Sequence, residues 1–208
     1  MMSQKRNGSL ITLCGLDGSG KTTQIRLLKD YFESAGKKVF VTKQPTDFVR
    51  KNEMFRSYTD KQDHSGYDYR AVSLLCASDR VQHCNKVILP LLQEGYIVIS
   101  DRYYYSCLAN LIARGYPDDE WVYEIARHIP KPDAAFFLDV EVEEAVRRVR
   151  SRPEERERYI DMELQYELRK LYLLIAHENN GIIVNSGISE EQCFKLIKRY
   201  SEEVIGNV

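Results

Sequence analysis

Short apolar runs alternate along the chain with longer segments whose apolar residues recur at helical spacing. Five runs predict β-strands, at residues 9–14, 38–43, 96–100, 133–138 and 181–185. Seven segments predict helices, at residues 21–34, 68–93, 104–114, 119–128, 141–150, 157–179 and 189–204. Strands that alternate with helices form βαβ crossovers. We therefore predict an α/β fold with a five-stranded parallel sheet covered by helices on both faces.

The turn after the first predicted strand reads G-L-D-G-S-G-K-T, from Gly15 to Thr22, and a predicted helix follows it. Strand, glycine-rich turn and helix in this order indicate a phosphate-binding loop. Glycines let backbone amides converge on phosphate oxygens, and the helix N-terminus adds partial positive charge. In such a loop Lys21 reaches the β- and γ-phosphates and Thr22 binds Mg²⁺. A glycine-rich turn with an incidental lysine is the alternative, but the flanking periodicity favours a three-layer P-loop fold.

The length and the net charge of the chain indicate how many domains to expect and which partners are not expected. With 208 residues and a net charge of −1, we expect one domain, residues 1–208, without general affinity for nucleic acids or membrane surfaces. No apolar run approaches the ~20 residues of a membrane span, and residues 1–8 lack the apolar core of a signal peptide. We expect a cytoplasmic protein. Its five cysteines have no paired spacing, so we interpret them as reduced thiols.

Charged residues follow the third predicted strand. Asp101 and Arg102 stand at the carboxyl end of that strand, the edge at which parallel sheets bind ligands. Phosphoryl transfer needs a carboxylate to hold Mg²⁺ and cations to offset phosphate charge. Asp101 and Arg102 supply both, although a helix cap beside a surface arginine would look the same. Arg80, within the long predicted helix, is a second candidate phosphate ligand.

An arginine-rich segment spans residues 147–158 and reads R-R-V-R-S-R-P-E-E-R-E-R. Pro153 interrupts any continuous helix there. A solvated helix end would explain most such runs. We interpret residues 148–158 instead as a mobile lid, because an arginine delivered after the substrates bind accelerates phosphoryl transfer by up to roughly 10³ to 10⁵.

Five ordered motifs resemble those of the thymidylate kinase family: C-G-L-D-G-S-G-K-T-T at 14–23, T-K-Q-P-T-D at 42–47, A-S-D-R-V-Q at 77–82, D-R-Y-Y-Y-S at 101–106 and K-P-D-A-A-F-F-L-D-V at 131–140. The arginine-rich segment occupies the family's lid position. The resemblance implies ATP and Mg²⁺, a deoxynucleoside monophosphate acceptor, with thymidylate favoured, and often a homodimer.

The resemblance also implies roles for individual residues. The catalytic residues would be Lys21, Asp101, Arg102 and Arg152. The ATP site would comprise Gly15, Leu16, Asp17, Gly18, Ser19, Gly20, Lys21, Thr22, Thr23, Arg148 and Ser186. The acceptor site would comprise Asp17, Pro45, Cys76, Arg80, Arg102, Ser106, Cys107 and Tyr159. The Mg²⁺ ligands would be Thr22 and Asp101. Gly18 stands where one branch of the family has a basic residue, so the chain resembles the branch whose lid supplies the catalytic arginine.

The acceptor motifs depart from the family pattern. Cys76 stands where the family has a phenylalanine that stacks on thymine, and Cys107 and Leu111 replace residues at the base. A stacked base gains ~1 to 3 kcal/mol, so thymidylate binds weakly unless another ring substitutes. Two alternatives to a thymidylate kinase therefore stay open. One is a P-loop kinase acting on another nucleoside monophosphate or a nucleoside, and the other is a regulatory protein that binds ATP without turnover.

Overall fold

The computed structural model describes residues 6–60 and 66–206. Its centre is a sheet of five parallel strands: β1 (Ser9–Gly15), β2 (Val39–Lys43), β3 (Ile97–Asp101), β4 (Ala134–Asp139) and β5 (Ile182–Asn185). The strands lie in the order β2-β3-β1-β4-β5, so the strand that leads into the glycine loop is central. The predicted α/β class and all five predicted strands are confirmed.

Ten α-helices are formed by the described residues: α1 (Lys21–Ser34), α2 (Asp47–Arg50), α3 (Glu53–Asp60), α4 (Tyr69–His83), α5 (Leu89–Gln93), α6 (Tyr104–Ala113), α7 (Trp121–Ala126), α8 (Val142–Arg150), α9 (Met162–Glu178) and α10 (Glu190–Ile205). A π-helical turn, Cys84–Ile88, joins α4 to α5, and a 3₁₀ turn, Pro153–Glu155, follows α8. None of these helices is long and apolar enough to cross a membrane.

Two apolar clusters cover the two faces of the sheet, because alternate side chains of a strand point to opposite faces. On one face, Leu10 and Cys14 of β1 belong to the cluster that includes residues of α6 and α9. On the other face, Ile11 and Leu13 belong to the cluster that includes residues of α1 and α10. The sheet is therefore the middle of three layers.

The strand register brings the predicted site together. Asp101 lies beside Leu13 of β1 on one side and beside Lys43 of β2 on the other. Gly15 lies beside Leu138 of β4. The glycine loop, the end of β3 and the start of α6 therefore meet at the carboxyl edge of the sheet, where ligands of parallel sheets bind.

Several helix predictions need correction. The short helices α2 and α3 were not predicted, and they form where Val49 is buried against Val72 and Cys76 of α4. The helix predicted at 157–179 begins at Met162, because the Asp161 carboxylate accepts a hydrogen bond from the Leu164 amide and caps it. The helix predicted at 68–93 contains the π-helical turn, and the one predicted at 119–128 is shorter at both ends.

Candidate active site

The glycine loop has the backbone shape that phosphate binding requires. Gly15, Gly18 and Gly20 have φ values of +137°, +83° and +90°, which side-chain-bearing residues rarely adopt. At Gly18 a Cβ would also collide with the carbonyl oxygen of Ala145 in α8. The loop therefore lies directly against α8, the helix that leads into the predicted lid, and this contact depends on the absence of a side chain at Gly18.

Lys21 lies folded back against this loop. Its Nζ donates to the carbonyl oxygens of Leu16, at 2.6 Å, and Gly15, at 3.1 Å. The side chain is buried, and this burial, together with the charge of Arg102, lowers the pKa of Lys21 to about 8. The ammonium group thus has carbonyl partners that phosphate oxygens would replace.

The carboxylate of Asp17 joins two arginines at the mouth of the loop. Arg102 Nη2 donates to Oδ1 at 2.7 Å, and Arg158 Nη2 donates to Oδ2 at 2.9 Å. Desolvation raises the pKa of Asp17, but the charges of Arg102, Lys21 and Arg158 outweigh it and hold the pKa well below its usual range. Arg158 ends the predicted lid, so this ion pair connects the lid to the phosphate loop.

Arg102 is held in one orientation. Its φ of +69° is unusual for a residue other than glycine, and such strain concentrates at functional sites. Its amide donates to the Leu13 carbonyl at 2.8 Å, and its Nη1 donates to the Tyr172 hydroxyl at 2.8 Å and to Ser106 Oγ at 3.4 Å. Ser106, predicted to touch the acceptor, therefore also supports the guanidinium of Arg102.

Asp101 and Thr22 fit the predicted Mg²⁺ site. Asp101 Oδ1 is buried and has no hydrogen-bond partner in residues 6–60 and 66–206, while Oδ2 lies 3.4 Å from Lys43 Nζ. Thr22, the second residue of α1, is exposed. The described residues contain no cluster of three or more potential metal ligands. A site with one carboxylate and one hydroxyl suits Mg²⁺, which takes its other ligands from phosphates and water.

The acceptor motifs come together between β2 and α4. Arg80 is buried, and its Nε donates to Gln44 Oε1 at 2.9 Å. Asp79 accepts from the amide and hydroxyl of Thr46, at 2.7 and 2.6 Å, which fixes the turn that contains Pro45. The end of β2 thus positions Pro45 beside the helix that carries Arg80.

The two cysteines of the acceptor motifs are packed in the protein interior. Cys107 Sγ lies 4.0 Å from the Ser73 carbonyl oxygen, where α6 contacts α4. Cys76 is buried in an apolar cluster with Val49 and Val72. Burial raises the pKa of the Cys76 thiol to about 12 and also raises that of Cys107. Both side chains are therefore small neutral groups at physiological pH, and whether they contact a base stays a prediction.

The predicted lid residues occupy different environments. Arg148 donates to the carbonyl oxygens of Gly18, at 3.4 Å, and Ser186, at 3.1 Å, so it bridges the glycine loop and the segment after β5. Arg152 is exposed, and in the described part of the chain its side chain has no hydrogen bond or ion pair. Tyr159 is 42 % exposed. The catalytic role of Arg152 thus stays a prediction.

Sequence reasoning did not single out three residues of this site. Arg158 is one of the six arginines at residues 147–158, of which only Arg148 and Arg152 were assigned roles from the sequence, and only the fold shows that it reaches Asp17. Gln44 and Tyr172 hold Arg80 and Arg102 from other elements. No local signal in the sequence marks them, because their partners lie 36 and 70 residues away.

Comparisons with known proteins agree with these motifs. The family model described as "Thymidylate kinase" matches residues 13–197. The chain is similar to a "Probable thymidylate kinase" of Pyrococcus horikoshii, 43 % identical over 81 % of this chain and 83 % of that protein. It is also similar to a "Probable thymidylate kinase" of Pyrococcus abyssi, 40 % identical over 96 % and 98 %. A "Thymidylate kinase" of Mesoplasma florum is 33 % identical over 94 % and 95 %.

Proposed function

This chain belongs to the thymidylate kinase family, and we propose that it transfers the γ-phosphoryl group of ATP to thymidylate, forming thymidine diphosphate. The observation that carries the proposal is the convergence of charged groups on the glycine loop. Arg102 from the end of β3 and Arg158 from the lid both reach Asp17 within that loop. Cations from separate elements therefore surround the place where phosphate oxygens would bind.

The loop and Lys21 would bind the phosphates of ATP. Backbone amides of the loop and the N-terminus of α1 supply donors and partial positive charge. Phosphate oxygens would replace the carbonyls of Gly15 and Leu16 as acceptors for Lys21 Nζ. Arg148, between Gly18 and Ser186, would lie beside the adenine.

The remaining residues would act on the transferring group and the acceptor. Thr22 and Asp101 would hold Mg²⁺, which when bound neutralises charge on the β- and γ-phosphates. Arg102, fixed by Tyr172 and Ser106, would hold the acceptor phosphate in line with the donor. Arg152 would stabilise the transferring group on lid closure. No general base is required, because positioning and charge stabilisation supply most of the rate.

A coupled assay of ADP release across deoxynucleoside monophosphates and nucleosides tests the proposal. We expect Mg²⁺-dependent turnover with thymidylate above that with any other acceptor. Faster turnover with another acceptor would overturn the choice of thymidylate. ATP binding without turnover on any acceptor would favour the regulatory alternative.

A different acceptor base is the second candidate. It is favoured by the small thiols of Cys76 and Cys107, which replace family residues at the base, while Lys21, Asp101 and Arg102 are all retained. The same ADP-release assay distinguishes thymidylate from another acceptor base, because the proposed ATP site is the same in both cases.

We also propose a cytoplasmic homodimer that acts on nucleotides alone. All five cysteines are free and buried, which suits a reducing compartment. Exposed apolar side chains, Phe48 on α2 and Leu74 on α4, offer surface for a contact between subunits. Sedimentation equilibrium gives the subunit number directly, and a single-subunit mass at micromolar concentration would overturn the dimer.

A further inference from the structure

Arg169 of α9 is the centre of an ion-pair network at the carboxyl end of β4. Its guanidinium donates to both carboxylate oxygens of Asp139, from Nε at 2.7 Å and from Nη2 at 3.1 Å. It also donates to both carboxylate oxygens of Glu141, with 2.8 Å between Nη2 and Oε1. The side chain is only 25 % exposed, and these hydrogen bonds raise its pKa, so it stays charged. One guanidinium therefore fastens two carboxylates that would otherwise repel each other.

The two carboxylates stand where the chain leaves the sheet and enters α8. Asp139 is the last residue of β4, and Glu141 immediately precedes α8. Helix α9, which carries Arg169, contacts both β4 and α8. Arg169 thus fixes the junction between the sheet and the helix that leads into the predicted lid.

The main chain of Asp139 holds the segment after β5. Its carbonyl oxygen accepts hydrogen bonds from the Ser186 amide, at 2.7 Å, and from the Ser186 hydroxyl, at 3.0 Å. The Ser186 carbonyl oxygen in turn accepts from Arg148 Nη2 at 3.1 Å. Arg148 stands on α8, which begins just after Glu141. The junction that Arg169 fixes therefore supports both Ser186 and Arg148, the two sides of the position proposed for the adenine.

A second contact from α9 holds α8 against the glycine loop. Tyr166 lies three residues before Arg169, on the same face of α9. Its hydroxyl donates to the carboxylate of Glu143 in the first turn of α8. Further along α8, the Ala145 carbonyl oxygen lies directly against Gly18. Loss of Arg169 would therefore leave the phosphate loop supported and release only the junction between β4 and α8.

We propose that Arg169 is a positioning residue for ATP: it holds the junction between β4 and α8 so that Arg148 and Ser186 keep the spacing that receives the adenine. Arg169 itself touches no substrate. This inference rests on the proposed function, which places the adenine beside Arg148. Arg169 supports the affinity for adenine and not that for phosphates, because Tyr166 keeps α8 on the loop without it. An ion pair that only stabilised the fold would not distinguish the two parts of the nucleotide.

Calorimetric binding of ATP and of inorganic tripolyphosphate, each with Mg²⁺, separates the adenine contribution from the phosphate contribution. In the full chain we expect Arg169→Met to raise the Kd for ATP roughly tenfold or more, because the groups beside the adenine lose their support. The Kd for tripolyphosphate should stay within about twofold, because the loop keeps its own contacts. Lys170→Met removes a charge from the next residue of α9, which is 75 % exposed and paired with Glu167. It is the matched control and should change neither Kd.

Amide hydrogen exchange provides a readout at the site itself. Arg169→Met should increase exchange across residues 182–188, where the Ser186 amide donates to Asp139, and leave exchange across residues 15–22 unchanged. In turnover assays the KM for ATP should rise while that for thymidylate stays within about twofold. Tyr172→Phe, one turn further along α9, should have the reverse effect on the two KM values, because the Tyr172 hydroxyl accepts from Arg102.

Circular dichroism and thermal melting establish that each variant is folded. If Arg169→Met does not fold, Arg169→Lys keeps the charge. A compact ammonium group cannot bridge two carboxylates as a planar guanidinium does, so Arg169→Lys should still raise the Kd for ATP by roughly threefold or more. Its Kd for tripolyphosphate should equal that of the wild type.

Two results in a folded Arg169 variant would overturn the inference: unchanged ATP binding, or equal weakening of ATP and tripolyphosphate. A wild-type protein that binds ATP no more tightly than tripolyphosphate would overturn it as well. These binding measurements need no acceptor. If the wild-type protein binds ATP but phosphorylates no acceptor, the proposed function fails, and the same measurements still decide the role of Arg169.

Discussion

The surroundings of Lys21 change the pKa of its ammonium group. Its ammonium group is buried against two carbonyl oxygens and near Arg102, which lowers its pKa from the ordinary 10.5 to about 8. Phosphate oxygens would add negative charge and raise that pKa again. We therefore expect the protonation of Lys21 to couple nucleotide binding to pH.

We expect ATP binding to take up protons near pH 8 and to weaken as the pH rises further, because free folded protein loses the Lys21 proton in this range. Calorimetry in two buffers of different ionisation enthalpy measures this uptake. Without nucleotide, the stability of the folded protein depends on pH in the opposite direction to ATP binding. The unfolded chain binds more protons between pH 8 and 10.5, so this group's contribution to stability increases with pH across that window.

Lys21→Ala is the control for this prediction. It should abolish proton uptake and lower turnover by more than tenfold, which corresponds to more than about 1.4 kcal/mol of transition-state stabilisation. Circular dichroism should be unchanged. Proton uptake that persists in Lys21→Ala would assign the titration to another group.

At the scale of elements, we expect the predicted lid to have two ends with different roles. It begins in α8, passes through the 3₁₀ turn Pro153–Glu155 and returns to the glycine loop through Arg158. Arg158 forms ion pairs with both Asp17 and Glu155, whereas Arg152 is exposed. The structure thus joins Arg158 to the glycine loop through Asp17 and leaves Arg152 exposed to solvent.

We expect Arg158→Ala to increase amide hydrogen exchange across residues 151–160, because the lid loses its ion pair with Asp17. Arg152→Ala should leave that exchange unchanged and lower kcat by roughly a hundredfold or more, with little change in the acceptor KM. Arg150→Ala, also exposed, should affect neither. A large kcat loss at Arg150 with none at Arg152 would show that another lid arginine is catalytic.

The contact of α2 with α4 leads to a prediction for Cys76. The family resemblance implies that a phenylalanine at this position would stack on thymine, but the Cys76 thiol is buried against Val49 and Val72. We expect Cys76→Phe to overfill this cluster and destabilise the protein by about 1 to 3 kcal/mol, measured by urea unfolding. Leu74→Phe, exposed on the same helix, should change stability by less than ~0.5 kcal/mol. Unchanged stability in Cys76→Phe would reveal open space for a base.

At the scale of the whole molecule, the sequence predicts the elements that have a strong local pattern. It does not predict contacts between residues that lie far apart in the chain. The five strands and the glycine loop have strong local patterns, and all appear. Helix α2 is only four residues long, too short for a helical repeat, and the structure buries its Val49 against α4. The pairing of Arg158 with Asp17 and the stacking of Arg114 on Tyr69 involve residues 141 and 45 positions apart, beyond any local rule.

A single cooperative domain remains a prediction, and the only tryptophan, Trp121, allows a test. It lies on α7, far along the chain from the glycine loop, and contacts the apolar cluster that covers one face of the sheet. We expect its fluorescence and the far-ultraviolet circular dichroism to report one urea transition with the same midpoint. ATP with Mg²⁺ should shift both midpoints together. Separate midpoints would indicate independently folding parts.

The π-helical turn Cys84–Ile88 has a consequence at the level of the gene. Each residue of an α-helix turns the chain by about 100°, and a π-turn holds one residue more than an α-turn does. Loss of one codon within this turn would restore a regular helix that still bridges α4 and α5. The same loss would rotate α4 relative to α5 and move Arg80 away from Gln44. We therefore expect an in-frame deletion of three nucleotides here to weaken binding at the proposed acceptor site, which includes Arg80.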